Sequence, residues 1–527
     1  MDSSNSHFPS EPNLSLSFLS SALNFETGKV LRNGLLELSR GVKTDVINSQ
    51  SSAMEADFME ALEEGLKLCM LPHHSVKPTG LETGDFLVID LGGLTLRVAV
   101  ISIHPHSGLV DSFENDNPLE LAPRLIARGS DSSVARRDRI EIVVSKKWNI
   151  SNACKVVDAL FFELIVSKIF ETLQDQSVIA LDKTIVVGVT WSFPLETCSY
   201  NSARILLMGK GYDLTPEFRG ANIKEIIEST MTRLHGIKLE IGAVVNDSFA
   251  VYAAGKYLDS TTELALVLGT GFNMCYQLTS ASNFHDIKRL DNEPDILFNT
   301  EMSFFGVGLV DLFSSKYDYY IDSHFGATPK FKPHLSTDPA TNAIFQPCEL
   351  LCSGRYIVEL VRLVVVDLIK AGEIFPNQKN HSATSIPYES ITGEFLSHLM
   401  DVQGTTDLVE QYFDWASGLV LESDVTKLRS VVQAIIQRSA AVVAVAVIAS
   451  IRLITRCNGP FRGLEITIGY IGSVIEHLDH FRETLTKFVN LSPTLTELGI
   501  SIKLRHVNDS SLVGGAIAAA CSLPSHE

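Results

Sequence analysis

The sequence predicts an α/β protein of two similarly built domains, one small and one large, around a central cleft. Three segments carry that expectation. Phe86-Leu-Val-Ile-Asp-Leu-Gly-Gly-Leu-Thr-Leu-Arg-Val-Ala-Val100 and Leu264-Ala-Leu-Val-Leu-Gly-Thr-Gly-Phe-Asn-Met-Cys-Tyr276 each read as an apolar strand, a glycine turn and a second strand. Between them, Val244-Val-Asn-Asp-Ser248 reads as a buried strand ending in a carboxylate. A glycine turn lets backbone N–H groups approach a phosphate without side-chain obstruction. Two such turns facing each other would hold one nucleotide from both sides, with Asp247 beside its terminal phosphate. That is the outline of a small-molecule kinase.

The remaining elements follow from periodicity and turn chemistry. Residues 1–14 are mostly polar and are expected to be disordered. Leu16 to Met70 reads as largely helical, with Met59, Leu62, Leu66 and Met70 at three-to-four spacing, and residues 15–80 are expected to pack on the large domain. Leu71 to Gly80 reads as a Pro- and Gly-punctuated connector with His73 and His74 on its surface. Strands are expected at Phe86–Ile89, Leu96–Ile101 and Ile140–Val144, the last after a charged, mobile stretch at Arg128–Arg139. A helix over Val156–Leu173, a strand over Thr184–Thr190 and an amphipathic helix over Ile223–Leu234 complete the first unit. A strand at Gly242–Asp247, a helix at Ser248–Tyr257, a strand at Leu264–Leu268 and a glycine turn then restart the order, so the design occurs twice. Cys348–Ala371 and Leu428–Thr455 read as long helices, Leu464–Ile468 as a strand, and Leu512–Cys521 as a helix opened by Asn508-Asp-Ser-Ser511. The domains are drawn at 81–246 and 247–508, with residues 509–527 returning to complete the small one.

Bulk composition narrows the function. At 527 residues the chain is too long for one core. Lys plus Arg is 43 against 62 for Asp plus Glu, a net charge of −19, which argues against nucleic acid or an anionic membrane as the main partner. An anionic ligand would need backbone N–H groups or a placed Arg or Lys. The longest apolar run, Ala440 to Ala449, is far short of the roughly 20 residues that span a bilayer and is expected to be a buried helix. The eight cysteines show no CxxC spacing and are expected to be reduced, buried thiols rather than metal ligands. The first ten residues lack the basic and apolar regions of a signal peptide. A cytoplasmic location follows as the expectation, with nuclear entry and regulatory protein partners left open.

No GxxxxGK[ST] loop and no protein-kinase signature set occurs. Other motifs do. Met70-Leu-Pro72 is followed by Pro78-Thr-Gly-Leu-Glu-Thr-Gly-Asp-Phe-Leu-Val-Ile-Asp-Leu-Gly-Gly93, Trp191-Ser-Phe-Pro194, Val245-Asn-Asp247, Leu268-Gly-Thr-Gly-Phe-Asn273, Asn299-Thr-Glu301 and Glu349-Leu-Leu-Cys-Ser-Gly354. On these motifs and their order the chain resembles the eukaryotic hexokinase family. Trp191-Ser-Phe-Pro-Leu-Glu196, Asn246-Asp-Ser-Phe-Ala-Val-Tyr-Ala-Ala-Gly255, Phe345-Gln-Pro-Cys-Glu349, Arg362-Leu-Val-Val-Val-Asp367 and Ile468-Gly-Tyr-Ile-Gly-Ser473 resemble its fungal N-acetylglucosamine kinase branch.

The resemblance implies two ribonuclease H-like domains (the actin/hexokinase superfold) and ATP-dependent phosphorylation of a sugar 6-hydroxyl, most closely that of N-acetylglucosamine. It implies Asp247 as the base that accepts the hydroxyl proton, which requires a carboxylate within hydrogen-bond reach. It implies Ser192, Phe193, Pro194, Lys210, Asn246, Asp247, Asn273, Glu301 and Glu349 at the sugar, where ionised carboxylates accept several hydroxyl hydrogens. Asp90 would hold Mg²⁺ through water, since Mg²⁺ keeps much of its hydration shell. Gly92, Gly93, Leu94, Thr95, Gly269, Thr270 and Gly271 would surround the phosphates, with Arg97 and Lys210 supplying positive charge. Gly354, Gly472 and Ser473 would lie on the nucleotide side, and Ser511 at the start of the last helix, a ready anion site.

The chain also departs from the family. Leu94 stands where the first hairpin carries a Thr that contacts phosphate, and losing such a contact costs about 1.5–3 kcal/mol. Gly209-Lys210 replaces a Thr-Lys pair, removing one sugar contact and opening space. Asp509-Ser-Ser-Leu512 replaces DGSG and is expected to place bulk near the nucleotide. These departures motivate an alternative, a hexokinase-like sugar sensor or transcriptional regulator with little catalysis. A glucose or mannose hexokinase is a further alternative. An actin- or chaperone-type ATPase is disfavoured by the sugar-loop motif.

Overall fold

A computed structural model describes residues 28–74, 78–105, 138–209, 211–290, 293–322, 345–378, 386–401 and 405–523. The expected disorder of residues 1–14, nearly all of the charged stretch at 128–139, and Lys210 lie outside the described residues.

Two mixed sheets repeat one topology. In the first, strand Gly84–Leu91 is central, its hairpin partner Thr95–Ile103 and then Ile140–Asn149 add antiparallel on one side, and Ile185–Trp191 and Leu239–Val245 add parallel on the other. In the second, Thr262–Leu268 is central, Phe272–Thr279 and Asp295–Asn299 add antiparallel, and Glu465–Ile471 and Ser501–His506 add parallel. The duplicated two-domain α/β design read from the sequence is therefore present, and both glycine turns join a central strand to its hairpin partner. The middles of the central strands, Phe86–Ile89 and Leu264–Leu268, are apolar because both their faces are covered.

The six-stranded sheet contains three strands that the sequence reading missed: Asp295–Asn299, Ser501–His506 and one at its edge. Leu71–His74, expected as connector, pairs antiparallel with Asp295–Asn299 at the sheet edge. A four-residue strand containing Pro72 carries little local signal, and proline in a strand is tolerated only at an edge. The expected helix over Cys348–Ala371 is broken as well. Ser353 takes an extended backbone (φ −82°, ψ 159°) and separates Pro347–Cys352 from Gly354–Lys370. Two of the cysteines expected to be buried, Cys154 and Cys198, are exposed, whereas Cys69, Cys275, Cys348 and Cys352 are buried.

The core of the larger half wraps the 37-residue helix Glu422–Asn458. This helix is long and apolar enough to cross a membrane, but 94% of its apolar window is buried inside the protein, as expected of a core helix. Arg438 within it is 1% exposed and donates to Asp318 (2.8 Å), Phe313 O and Leu351 O, so the buried charge is paired.

Between the two sheets lie helices Asp247–Leu258 and Ser510–Cys521. Their shared cluster takes Phe86, Val88, Ala99 and Ile101 from one sheet and Ala265, Cys275 and Leu297 from the other. The helices touch backbone to backbone: a Cβ at Gly514 would lie 2.0 Å from Ala250 O, and one at Gly515 would lie 2.9 Å from Val88 Cγ1. Leu512, expected near the nucleotide, is 1% exposed within this layer and contributes packing instead.

Gly514→Ala is expected to lower the urea midpoint. Over-packing costs about 1–3 kcal/mol, more than the ~1 kcal/mol that removing glycine from a helix interior returns. An unchanged or raised midpoint would show that the two helices can part.

Candidate active site

The interhelical layer delivers Asp247 to the gap between the sheets. Strand Leu239–Val245 ends at Asn246, whose side chain caps the following helix by accepting from Ser248 N–H at 3.0 Å. Asn246, not Asp247, is therefore the N-cap. The Asp247 carboxylate lines a cleft of about 430 Å³, with Oδ1 accepting from Ser248 N–H at 2.7 Å.

The cleft gathers most of the candidate residues. Asp90, Gly92, Gly93, Ser192, Phe193, Pro194, Asn246, Asn273, Glu301, Glu349, Gly269, Thr270, Gly271 and Ser511 all line it beside Asp247. Phe193 does so while packing edge-on against Trp191 (6.2 Å) and Tyr212 (5.1 Å), so it is mainly a wall. Gly209 also lines it with nothing within 4 Å of a Cβ position, the open space expected where the family has Thr.

A chain of polar side chains crosses the cleft floor. Asn273 Nδ2 donates to Asn246 Oδ1 (3.4 Å) and to Asn299 Oδ1 (2.7 Å), and Asn299 Nδ2 donates to Glu301 Oε1 (2.7 Å). Glu301 is held in a left-handed conformation (φ +50°) and is 9% exposed. Glu349 approaches from the short helix before the Ser353 break, with Oε2 accepting from Phe272 N–H at 3.3 Å. A Cβ at Gly271 would stand 2.7 Å from that oxygen, so the turn glycine admits the carboxylate. Burial, reinforced by Glu349, pushes the neighbouring Tyr356 hydroxyl up to about 12.

Other candidates lie elsewhere. Leu94 is 67% exposed, and neither it nor Thr95 lines the cleft; the side chain does not block the gap. Arg97 is also off the lining. It grips Asp90 through Nε (2.9 Å) and Nη2 (2.8 Å) and reaches Asp509 at 3.4 Å. The amides of Gly92 and Gly269 do not face a phosphate, because they donate within their own turns to Thr95 O (2.9 Å) and Gly271 O (3.0 Å). Among the described residues the amides of Gly93, Thr270 and Gly271 make no such bond. Gly472 (φ +116°) donates its N–H to Glu476, and a Cβ there would meet Leu268 O at 2.3 Å, so it serves close packing. Gly354 and Ser473, with Thr270, line a second cavity of about 670 Å³.

Hexokinase family models match residues 39–257 and 263–521. The chain belongs to the hexokinase family. This sugar kinase is 38% identical to N-acetylglucosamine kinase 1 of Candida albicans over 94% of each chain. It is 25% identical to glucokinase-1 of Saccharomyces cerevisiae over 90% of this chain and 94% of the other. Its fold is similar to that of a Schistosoma mansoni hexokinase complexed with glucose, with a TM-score of 0.71, 21% identity and coverage of 93% and 99%.

Several residues of the kinase escaped the sequence reading. Asn299 was passed over although it stands two residues before Glu301. Gln346, three before Glu349, donates to Ser303 Oγ at 3.1 Å on the same wall. His73, expected on a loop surface, is buried: Nε2 lies 2.7 Å from Val244 O and the ring packs 4.5 Å from Phe249. Burial pulls its pKa below the usual histidine value. It thereby ties the edge of the six-stranded sheet to the strand that leads to Asp247. His74 contacts Glu293 at 2.5 Å.

Asn299→Ala should raise the sugar KM roughly tenfold, because it removes one orienting bond from each of Asn273 and Glu301. The nucleotide KM should change little. Steady-state kinetics against each substrate separates the two, and equal changes would reject this assignment.

Proposed function

We propose that the protein transfers the γ-phosphoryl group of ATP to the 6-hydroxyl of N-acetylglucosamine. The observation that carries this reading is the placement of Asp247 between two glycine turns, at one end of the chain of amides leading to Glu301. The relative at 38% identity supplies the sugar. The cleft's open side at Gly209 is compatible with it.

In this reading Glu301, Glu349, Asn273 and Asn246 hold the ring hydroxyls. A buried polar site of that kind penalises a sugar that leaves a partner unpaired. The 6-hydroxyl then faces Asp247, which takes its proton as the oxygen attacks phosphorus. The adenosine would occupy the 670 Å³ cavity beside Thr270 and Ser473. The amides of Gly93, Thr270 and Gly271 would receive the phosphates.

The donor set suits Mg²⁺ brought in with ATP. Among the described residues no cluster of three or more His, Cys, Asp or Glu side chains could hold a metal by itself, while Asp90 lines the cleft under the grip of Arg97. A carboxylate acting through water, together with substrate phosphates, is how Mg²⁺ is commonly bound. Asp90 would therefore hold the ion, whose chemistry is neutralisation of phosphoryl charge. The bulk that motivates the sensor alternative is not at the gap, since Leu94 does not line the cleft and Ser510 and Leu512 are buried; the phosphate contact absent at Leu94 is what still favours it.

A purified-protein panel of N-acetylglucosamine, glucosamine, glucose and mannose should show the highest kcat/KM for the first. Transfer to none of them would overturn the reading, and preference for glucose would replace the substrate. Asp247→Ala should lower kcat roughly 10²- to 10⁴-fold, with sugar affinity by calorimetry largely kept. Substantial turnover in that variant would reject Asp247 as the base.

A further inference from the structure

The cleft is acidic where it must receive a polyanion. Asp90, Asp247, Glu301 and Glu349 all line it, and among its described lining residues Arg355 is the only cation. Arg97 is turned to Asp90 and Asp509 and does not reach the lining. Arg355 also lines the 670 Å³ cavity, and the only residues common to both linings are Thr270 and Arg355. The two cavities thus meet at a turn residue and a guanidinium.

Arg355 is built to serve that seam. It is the second residue of helix Gly354–Lys370, immediately after the extended Ser353. Its side chain is exposed and forms no ion pair with a described residue, and its guanidinium stands 5.9 Å from the Tyr356 ring centroid. The Gly354 amide donates to Gly269 O at 2.8 Å, which fixes the start of this helix against the second glycine turn. The helix N-terminus adds a positive partial charge at the same place.

We propose that Arg355 is the side chain that binds the α- and β-phosphates of the nucleotide as they pass from the larger cavity to Asp247. The inference rests on the nucleotide placement proposed above. A planar guanidinium binds phosphate oxygens through two parallel N–H bonds. It supplies a charge-assisted contact to the phosphates in a cleft whose other charged lining residues, among those described, are carboxylates.

The test is calorimetric binding of ATP, ADP, adenosine and N-acetylglucosamine to the full chain and to Arg355→Ala and Arg355→Lys. In Arg355→Ala the ATP and ADP affinities should fall roughly 10- to 100-fold, with adenosine and sugar affinities unchanged, and Arg355→Lys should recover part of the loss. Equal weakening of adenosine, or undiminished ATP and ADP binding, would overturn the proposal while leaving the kinase reading standing. Wild-type protein that binds the sugar but no ATP would overturn both.

Discussion

The contact on which the active-site arrangement depends is the backbone meeting of helices Asp247–Leu258 and Ser510–Cys521. Gly514 permits it, because any side chain there would enter the Ala250 carbonyl, while Gly515 lets the same helix lie close on Val88 and Thr190 of the first sheet. Close approach lets one thin layer serve both sheets, with Phe86 and Val88 on one side and Ala265 and Cys275 on the other. Both helices begin at the same gap, so Asp247 and Ser511 arrive there together. Thr190 Oγ1 donates to Ser511 O at 2.7 Å and ties the second helix start to the sugar-loop strand.

Around that layer the protein spends polar groups in fixed relays. Asn246, Asn273, Asn299 and Glu301 form one line, so each amide has its orientation set by the next. A buried relay of this kind is stable only when its members are satisfied, and it then holds a unique geometry. His73 adds a second tie between the halves, through Val244 O. The Ser353 break acts within the larger half. It ends the helix that presents Glu349 and begins the one that presents Arg355, placing a carboxylate and a cation on consecutive elements.

The charge pattern follows the same economy. A chain of net charge −19 with four carboxylates in its cleft cannot attract a nucleotide by its overall field. It must rely on local donors, and the geometry divides them. Arg97 is committed to orienting Asp90, the amides of Gly92 and Gly269 to shaping their turns, and Arg355 to the seam between the cavities.

Much of this was legible in the chain. The two apolar hairpins and the Asp-bearing strand gave the duplicated α/β design, since period, glycine position and β-rich composition are local properties. The motif order gave the family and, through it, Asp247, Glu301 and Glu349. What the sequence could not give depends on neighbours distant in the chain. Whether the His73 ring meets solvent or the Val244 carbonyl, whether Arg97 faces the gap or Asp90, and whether Leu94 and Leu512 crowd the cleft are decided only when the sheets pack. Arg355 shows this most plainly: as a letter it follows a glycine, and only the meeting of two cavities gives it a place. Hydrophobic period is written residue by residue, but the facing of a polar side chain is set by what the fold brings opposite it.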